Sequence, residues 1–319
     1  MLELNTTILP HISLPGFLTS TGYKLDLELS YELFGRELHT APIVLVNHAL
    51  SGNSHVSGRN GWWNNLIGYG ATIDLNTYTV LCFNIPGNGY DGTLVQDFKQ
   101  FRPSDIAEIF ISGLNKLHIK HVDILIGASL GGAIGWEMIA KKSDLAGKMI
   151  AIATDYKTTD WLRGHCRIQN YLLQSSDKPL EKAREHAMLF YRTSKSLNGR
   201  FNNAISQEGE YKSLEWLAYH GKALKERFSL SAYLLMNHLL SSIEVGKSQI
   251  LLANTQMHHI AIDSDGYFPW QEMREMHESL KDSNKESFFH TICSDHGHDA
   301  FLIEYDQLNT IIKEILNTK

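Results

Sequence analysis

The stretch VDILIGASLGG, residues 122–132, decides the fold. Its first five residues form a nearly continuous apolar run, which is typical of a strand buried on both faces of a sheet. Residues 130–142 suit a helix, so the Gly-Ala-Ser-Leu-Gly motif falls on a strand-to-helix turn. Its two glycines allow a tight turn that projects the Ser129 hydroxyl outward. The stretch predicts a nucleophilic serine, and the alternative is a glycine-rich turn with a buried serine.

Similar apolar runs lie on both sides of this stretch, at residues 43–46, 79–83, 149–153 and 259–262. Helix-compatible segments alternate with them, for example residues 103–117. The order strand, helix, strand, helix predicts a parallel sheet with right-handed crossovers and with helices on both faces.

Three segments depart from this alternation. Residues 22–38 alternate apolar and polar side chains, which predicts an antiparallel pair of strands at the sheet edge. Residues 155–245 have helical spacing, and residues 300–316 carry one apolar helix face that we expect to cover the sheet. We therefore predict an α/β fold whose core comprises residues 1–154 and 246–319, with residues 155–245 inserted as a helical cap.

Composition and charge exclude several classes of protein. Of the 319 residues, 43% are hydrophobic and 20% are charged, which is enough apolar material for a substantial core. The net charge of −6 argues against nucleic acid or an anionic membrane as a partner. No apolar stretch approaches the ~20 residues that span a bilayer, and the N-terminus lacks a secretory pattern. Three well-separated cysteines and the lack of a compact set of ligands predict no disulfide, no metal site and a cytoplasmic location.

Candidate partners for Ser129 lie downstream. A serine hydroxyl needs a base, and the base needs a carboxylate that orients it. In chains with this type of turn the order is serine, carboxylate and histidine, each on a loop after a later strand. Asp265 and His298 match this order, since each follows a predicted strand. Asp263 and His296 lie two residues away from them, so the residues alone leave either pair open.

The turn NHALSG at residues 47–52 occupies the place where this architecture takes a backbone N–H for an oxyanion hole. We expect the N–H groups of Leu50 and Leu130 to act as the two donors, because the chemistry uses backbone dipoles aimed at the developing negative oxygen. His48 and His55 are then structural or line the pocket.

Five blocks of sequence resemble the homoserine O-acetyltransferase family, α/β-hydrolase-fold acyltransferases of methionine biosynthesis. The blocks are HALSG at 48–52, GWWNNLIG at 61–68, GASLGG at 127–132, DSD at 263–265 with FP at 268–269, and GHDAFL at 297–302. Weaker echoes in the cap are AR at 183–184, YR at 191–192, GRF at 199–201 and RF at 227–228. The resemblance implies an α/β-hydrolase fold, with a mostly parallel central sheet flanked by helices and an inserted helical cap.

The resemblance also implies a reaction. An acetyl group moves from acetyl-CoA to the hydroxyl of L-homoserine by a ping-pong mechanism through an acyl-Ser129 intermediate. Asp265 and His298 then complete a catalytic triad by the register of their motifs. Acetyl-CoA is a co-substrate, no cofactor is tightly bound, and a homodimer forms through the cap. The alternatives are an esterase or thioesterase, a sister acyltransferase that uses succinyl-CoA or L-serine, and a catalytically silent binding scaffold.

The resemblance further implies a pocket for the amino acid. By motif position, Arg184 holds the homoserine carboxylate, Tyr191 lines the same pocket and Asp299 faces the ammonium group. The charges suit these roles, since a planar guanidinium matches a carboxylate. Two alternatives remain: Arg184 lies in a charged run and can belong to a solvated helix face, and Asp299 can cap the terminal helix.

The chain departs from the family in two places. The loop after Asn84 is shorter than the Gly/Ser/Thr/Pro-rich loop that the family usually has, and the segment between Ser129 and Arg184 is trimmed. Both places lie where substrate is admitted. The differences therefore bear on the choice of substrate more than on the chemistry.

Overall fold

The computed structural model describes residues 9–318, which form ten β-strands and ten α-helices. The strands are β1 (His11–Leu18), β2 (Lys24–Gly35), β3 (Ile43–Asn47), β4 (Ile67–Gly68), β5 (Ile73–Asp74), β6 (Thr79–Phe83), β7 (Val122–Ala128), β8 (Ala146–Ile152), β9 (Gln256–Ile262) and β10 (Ser287–Ile292). The helices are α1 (Pro103–Lys116), α2 (Leu130–Lys141), α3 (Asp160–Ser175), α4 (Pro179–Tyr191), α5 (Ser194–Phe201), α6 (Lys212–Lys225), α7 (Leu230–Ser241), α8 (Lys247–Ile250), α9 (Trp270–Asp282) and α10 (Tyr305–Asn317).

Eight of the strands form one sheet in the order β1-β2-β6-β3-β7-β8-β9-β10, while β4 and β5 pair separately. The pairs β1–β2 and β2–β6 are antiparallel, and all other neighbours in the sheet are parallel. The predicted mostly parallel sheet is therefore confirmed. From β3 the chain moves outward first to β6 and then to β7 on the other side, which opens a crevice at the carboxyl ends of the strands.

The core lies on both faces of this sheet, as the short apolar runs predict. On β3, Val44 and Val46 contact one apolar cluster, while Leu45 belongs to the other. Helices α1 and α2 and the cap cover the Leu45 side, and α10 covers the opposite side. Strands that are buried in this way need apolar side chains at every position, and this explains the lack of alternation in their sequence. Within residues 9–318, no helix has the length and apolar character needed to cross a membrane.

The edge of the sheet differs in register from the prediction. We expected an antiparallel pair within residues 22–38, but β2 runs through that segment as one strand and pairs with the earlier β1. The turn between them closes where Thr19 N–H donates to the carbonyl of Tyr23, 2.9 Å away. Pro15 and Gly16 lie where the pairing of β1 with β2 shifts register. They interrupt the alternation of apolar and polar residues in β1, so the sequence pattern does not predict this strand.

The helical segment between β8 and β9 contains α3 to α7, and all five lie within residues 155–245. They pack mainly on each other, through α4 against α6 and α3 against both α4 and α7. Their buried side chains join the apolar cluster on the α1/α2 side of the sheet. This shared apolar cluster therefore joins the five helices to the core.

The end of the chain corrects one expectation and adds an element. The helix expected at 300–316 begins only at Tyr305, because residues 297–302 form a 3₁₀ turn. Helix α9, which the sequence reading did not predict, begins directly after Pro269, a residue that favours a helix start.

Candidate active site

Ser129 sits on a strained turn between β7 and α2. Its φ of 54° and ψ of −127° are unfavourable for a residue with a side chain, and such strain is typical of functional sites. A Cβ atom at Gly131 would lie 2.1 Å from the carbonyl oxygen of Asn47, and one at Gly127 would lie 2.5 Å from the backbone of Gly131. Only glycine fits at these two positions, so the sequence motif has a steric cause.

The structure brings Ser129, His298 and Asp265 together. His298 Nε2 lies 3.0 Å from Ser129 Oγ, and His298 Nδ1 lies 2.8 Å from Asp265 Oδ2. An ionised carboxylate only accepts, so His298 Nδ1–H donates to Asp265 and leaves Nε2 to accept from the serine hydroxyl. The other Asp265 oxygen accepts from the backbone N–H groups of Tyr267 and Phe268, at 2.7 and 2.9 Å. This arrangement can deprotonate the serine and orient the base that does so.

The competing pair lies elsewhere. Asp263 Oδ1 accepts from the backbone N–H of Ser294 at 3.0 Å. His296 Nδ1 lies 2.9 Å from Arg192 Nη2 and 2.9 Å from Ser196 Oγ. Neither residue has a hydrogen bond to Ser129 among the side chains that the structure describes. Of the two pairs that the sequence left open, the geometry brings Asp265 and His298 to the serine.

The two expected oxyanion donors come from two different segments of the core. Leu130 is the first residue of α2, and Leu50 lies in the turn after β3. Within residues 9–318, neither backbone N–H donates to an acceptor. The close approach of Gly131 to Asn47 presses this turn against the start of α2. Both N–H groups are therefore available to a bound oxyanion.

His48 is a structural residue between two loops of the core. Its Nδ1–H donates to the carbonyl of Ala49 at 2.9 Å, and its Nε2 accepts from the N–H of Ile85 at 3.0 Å. Burial lowers the pKa of His48 to about 4, so the ring stays neutral at neutral pH. The ring ties the turn that carries Leu50 to the loop after β6. Its near neighbour His55 instead contacts Glu32, with 2.9 Å between Nδ1 and the carboxylate.

Arg184, Tyr191 and Asp299 lie beside His298. The Arg184 guanidinium carbon is 5.3 Å from the centre of the Tyr191 ring, which is 5.6 Å from that of His298. In the described part of the chain, Arg184 has no carboxylate within 4.0 Å, and Asp299 has no ion-pair or hydrogen-bond partner through its side chain. Burial raises the pKa of Asp299, and the charges of Arg184 and His298 oppose that rise. One basic and one acidic side chain therefore lie near His298 without an ion-pair partner in the described part of the chain.

The structure does not agree with the two alternative roles, a solvated helix face for Arg184 and a cap of the terminal helix for Asp299. Arg184 is half-buried and stacks on Tyr191, so it does not lie on a solvated helix face. Asp299 does not cap the terminal helix, because α10 begins at Tyr305 and is preceded by Glu304.

Aromatic side chains surround the His298 ring, and sequence reasoning assigned a place there to Tyr191 alone. The ring centres of Tyr267, Phe268 and Phe301 lie 4.9, 5.7 and 5.7 Å from that of His298. All three residues lie within or beside the sequence blocks that resemble the family. Their place in these blocks was the signal that could have identified them as residues of the site. An apolar wall of this kind limits the access of water to the histidine.

The strand order of the sheet and the strained turn at Ser129 together define the class of the protein. A family model described as alpha/beta hydrolase fold matches residues 42–305, and the chain belongs to this family. Among curated proteins it is similar to the homoserine O-acetyltransferase of Moorella thermoacetica, with 28% identity over 343 residues that cover 91% of this chain and 90% of that protein. The resemblance that the sequence blocks indicated is therefore confirmed.

Solved structures agree with this family. The homoserine O-acetyltransferase from Staphylococcus aureus has 25% identity and a TM-score of 0.83, covering 98% of this chain and 95% of that chain. The esterase E22 has a TM-score of 0.86 at 15% identity, covering 97% of this chain and 99% of that one. At this identity the second likeness reports the shared fold alone. One fold thus accommodates an acetyltransferase and an esterase.

Proposed function

We propose that this protein transfers the acetyl group of acetyl-CoA to the side-chain hydroxyl of L-homoserine. The observation that carries the proposal is that Arg184 and Asp299 have no ion-pair partner among residues 9–318 and lie near the hydrogen-bonded Ser129 and His298. A free amino acid carries one carboxylate and one ammonium group, so it complements both charges. The relatives named homoserine O-acetyltransferase support the same acceptor.

In the first half-reaction, Ser129 Oγ attacks the thioester carbonyl as its proton passes to His298 Nε2. The N–H groups of Leu50 and Leu130 stabilise the tetrahedral oxyanion. The C–S bond then breaks, and the proton on His298 passes to the sulfur, which leaves as CoA thiol. Asp265 orients the ring of His298 and stabilises its charged form. The product is acetyl-Ser129.

In the second half-reaction, the homoserine hydroxyl loses its proton to His298 and attacks the acetyl carbonyl. Collapse of the second tetrahedral intermediate breaks the bond to Ser129 Oγ, which recovers its proton from His298. Arg184 and Asp299 bind the carboxylate and the ammonium group, both on the α-carbon of homoserine, so the hydroxyl at the other end is positioned at the histidine before water reaches it. The chemistry needs no cofactor beyond acetyl-CoA as co-substrate.

CoA thiol release by the purified protein tests this function. We would measure it from acetyl-CoA and from succinyl-CoA, each with L-homoserine, with L-serine and with no acceptor. We expect release from acetyl-CoA that depends on homoserine, with O-acetylhomoserine as product. Rapid release without an acceptor would instead identify a thioesterase, and a requirement for succinyl-CoA or serine would identify a sister activity.

Two further proposals follow from this function. A reaction that consumes acetyl-CoA and an amino acid suits the cytoplasm. The cap also exposes large apolar side chains that a homodimer can bury, namely Trp161, Tyr171, Leu189, Leu214 and Tyr219. Light scattering should give the mass of a dimer, whereas a monomer mass that persists at high concentration would contradict this assembly.

A further inference from the structure

Four guanidinium groups of the cap lie around one histidine. Arg184 belongs to α4, Arg192 follows it, Arg200 lies in α5 and Arg227 lies between α6 and α7. Burial and the charges of Arg184, Arg200, Arg192 and Arg227 lower the pKa of His220 to about 4. All four charges therefore act on His220, and we call these residues the cap arginine cluster.

The cap arginine cluster forms no ion pair with a carboxylate among the residues that the structure describes. In the range 9–318, none of its four guanidinium groups has a carboxylate within 4.0 Å. Arg192 and Arg200 instead stack on the ring of Trp216, with guanidinium carbons 5.8 and 5.6 Å from its centre. Like charges that are gathered without partners repel each other. Such an arrangement favours the binding of an anion.

The number of positive charges exceeds what the amino acid needs. A homoserine molecule has one carboxylate, which Arg184 accommodates beside Tyr191 and Asp299. Three guanidinium groups then remain. The acyl donor in the proposed reaction carries a pyrophosphate and a ribose phosphate, and guanidinium groups bind phosphate oxygens through paired hydrogen bonds. Resting on the proposed function, we propose that Arg192, Arg200 and Arg227 bind the phosphate groups of CoA.

The positions of these arginines agree with a donor that reaches from the surface to Ser129. Arg227 Nη1 donates to the carbonyl of Ser51 at 2.9 Å, next to the expected oxyanion donor Leu50. On the other side, Arg192 donates to His296, two residues before His298. Hydrogen bonds thus tie the cluster to two segments that carry expected active-site residues.

Arg192 and Arg200 also line an open groove of about 970 Å³ on the protein surface. The groove also carries three carboxylates: Asp263 accepts from Ser294 N–H, Glu304 accepts from the Ser294 hydroxyl, and Asp295 forms an ion pair with Lys195. The two arginines are therefore the cationic groups of this groove without an ion-pair partner among residues 9–318. The groove provides room for the long arm of the donor.

A comparison of two donors tests the proposal. S-acetyl-N-acetylcysteamine presents the same thioester as acetyl-CoA without any phosphate. We expect the ratio of kcat/KM for acetyl-CoA to that for S-acetyl-N-acetylcysteamine to fall about tenfold in Arg200→Gln, and further in the double variant Arg192→Gln/Arg200→Gln, because each loses a charge-assisted hydrogen bond. Arg274→Gln, on the exposed face of α9, is the matched control and should keep the ratio of the unaltered protein. An unchanged ratio in the double variant would overturn the proposal.

Direct binding separates this proposal from the proposed function. Calorimetry with CoA and with adenosine 3′,5′-bisphosphate needs no acceptor, so its result stands whether or not homoserine is the substrate. The Kd of both probes should rise about tenfold in Arg200→Gln, and binding by the unaltered protein should weaken with salt. If CoA binds Arg200→Gln and Arg227→Gln as tightly as it binds the unaltered protein, the phosphate subsite is wrong. A loss of activity with succinyl-CoA alone would show that the arginines recognise a carboxylate on the acyl group, and would likewise overturn it.

Discussion

The side chains around Ser129 and those that the cap places above them differ in how their polar groups are satisfied. Ser129, Asp265 and His298 are only 4, 5 and 4% exposed, and they form a closed chain of hydrogen bonds. In the cap, Arg184 and Arg200 have no ion-pair partner in the described part of the chain. The triad region is complete without a ligand, whereas the cap region leaves its charges to be satisfied by one.

This difference indicates how one fold can support different reactions. Acyl-enzyme formation needs only the serine, its base, the carboxylate and the oxyanion donors, and both transfer and hydrolysis use them. What becomes of the acyl group depends on which acceptor is held next to it. In the reaction that we propose, Arg184 and Asp299 make that choice, so substitutions in the two regions should have separate consequences.

The largest effect is expected from the triad region. Asp265→Asn removes the charge that orients His298, and we expect kcat to fall about 10⁴-fold for any acceptor, water included. The measurement is CoA release with homoserine, together with hydrolysis of a small activated ester. Asp263→Asn is the matched control for hydrolysis of the activated ester, which carries no CoA, since Asp263 accepts a backbone N–H bond from Ser294 rather than a bond from His298. Equal losses in the two variants would refute the assignment of Asp265.

A smaller and more selective effect is expected from the cap region. Arg184→Ala removes the partner of the substrate carboxylate, which should lower kcat/KM for homoserine about 100-fold through the lost charge-assisted hydrogen bonds. Hydrolysis of a neutral activated ester does not use this charge and should change little. Arg274→Ala controls for the loss of an arginine elsewhere. If ester hydrolysis fell as steeply as transfer, the two regions would not be separable in the way described.

The smallest effect is expected on the free energy of unfolding at acidic pH, and it concerns His48, a buried residue of the core. The pKa of His48 is about 4 in the folded protein and near 6.5 when unfolded, so the unfolded state binds more protons between these values. Unfolding free energy should therefore decrease as the pH falls below 6.5. This histidine contributes about 2 kcal/mol of that decrease by pH 5. Denaturant titrations of the unaltered protein and of His48→Gln check this, since the variant should depend less steeply on pH. Parallel pH profiles would contradict the role given to this ring.

Short apolar runs and the serine turn made the sheet predictable, because strands buried on both faces need apolar residues at every position. The same rule fails for β1, where Pro15 and Gly16 break the pattern at a pairing irregularity. Helix α9 was missed as well, although Pro269 precedes it. Local sequence patterns thus predict the central strands of the sheet better than its edge strands and the helices that pack on it.

Contacts between distant segments account for what the sequence left open at the site. Asp263 and Asp265 both follow β9, and only the turn that gives Asp265 the N–H groups of Tyr267 and Phe268 aims its other oxygen at His298. The clustering of the four cap arginines was not predicted, although each of them stands in one of the weaker family echoes of the cap. They come from separate segments and meet only in the folded cap.

The central claim is that the cap decides the fate of an acetyl group held on Ser129. Brief mixing with acetyl-CoA alone, followed by mass spectrometry of the intact protein, measures acetyl-Ser129 directly, and a chase with L-homoserine measures its decay. We predict an acetyl-enzyme that forms without acceptor, that homoserine discharges rapidly to O-acetylhomoserine, and that decays slowly under the same chase in Arg184→Ala. An acetyl-enzyme that water discharges as fast as homoserine does, in the unaltered protein and in Arg184→Ala alike, would contradict the account.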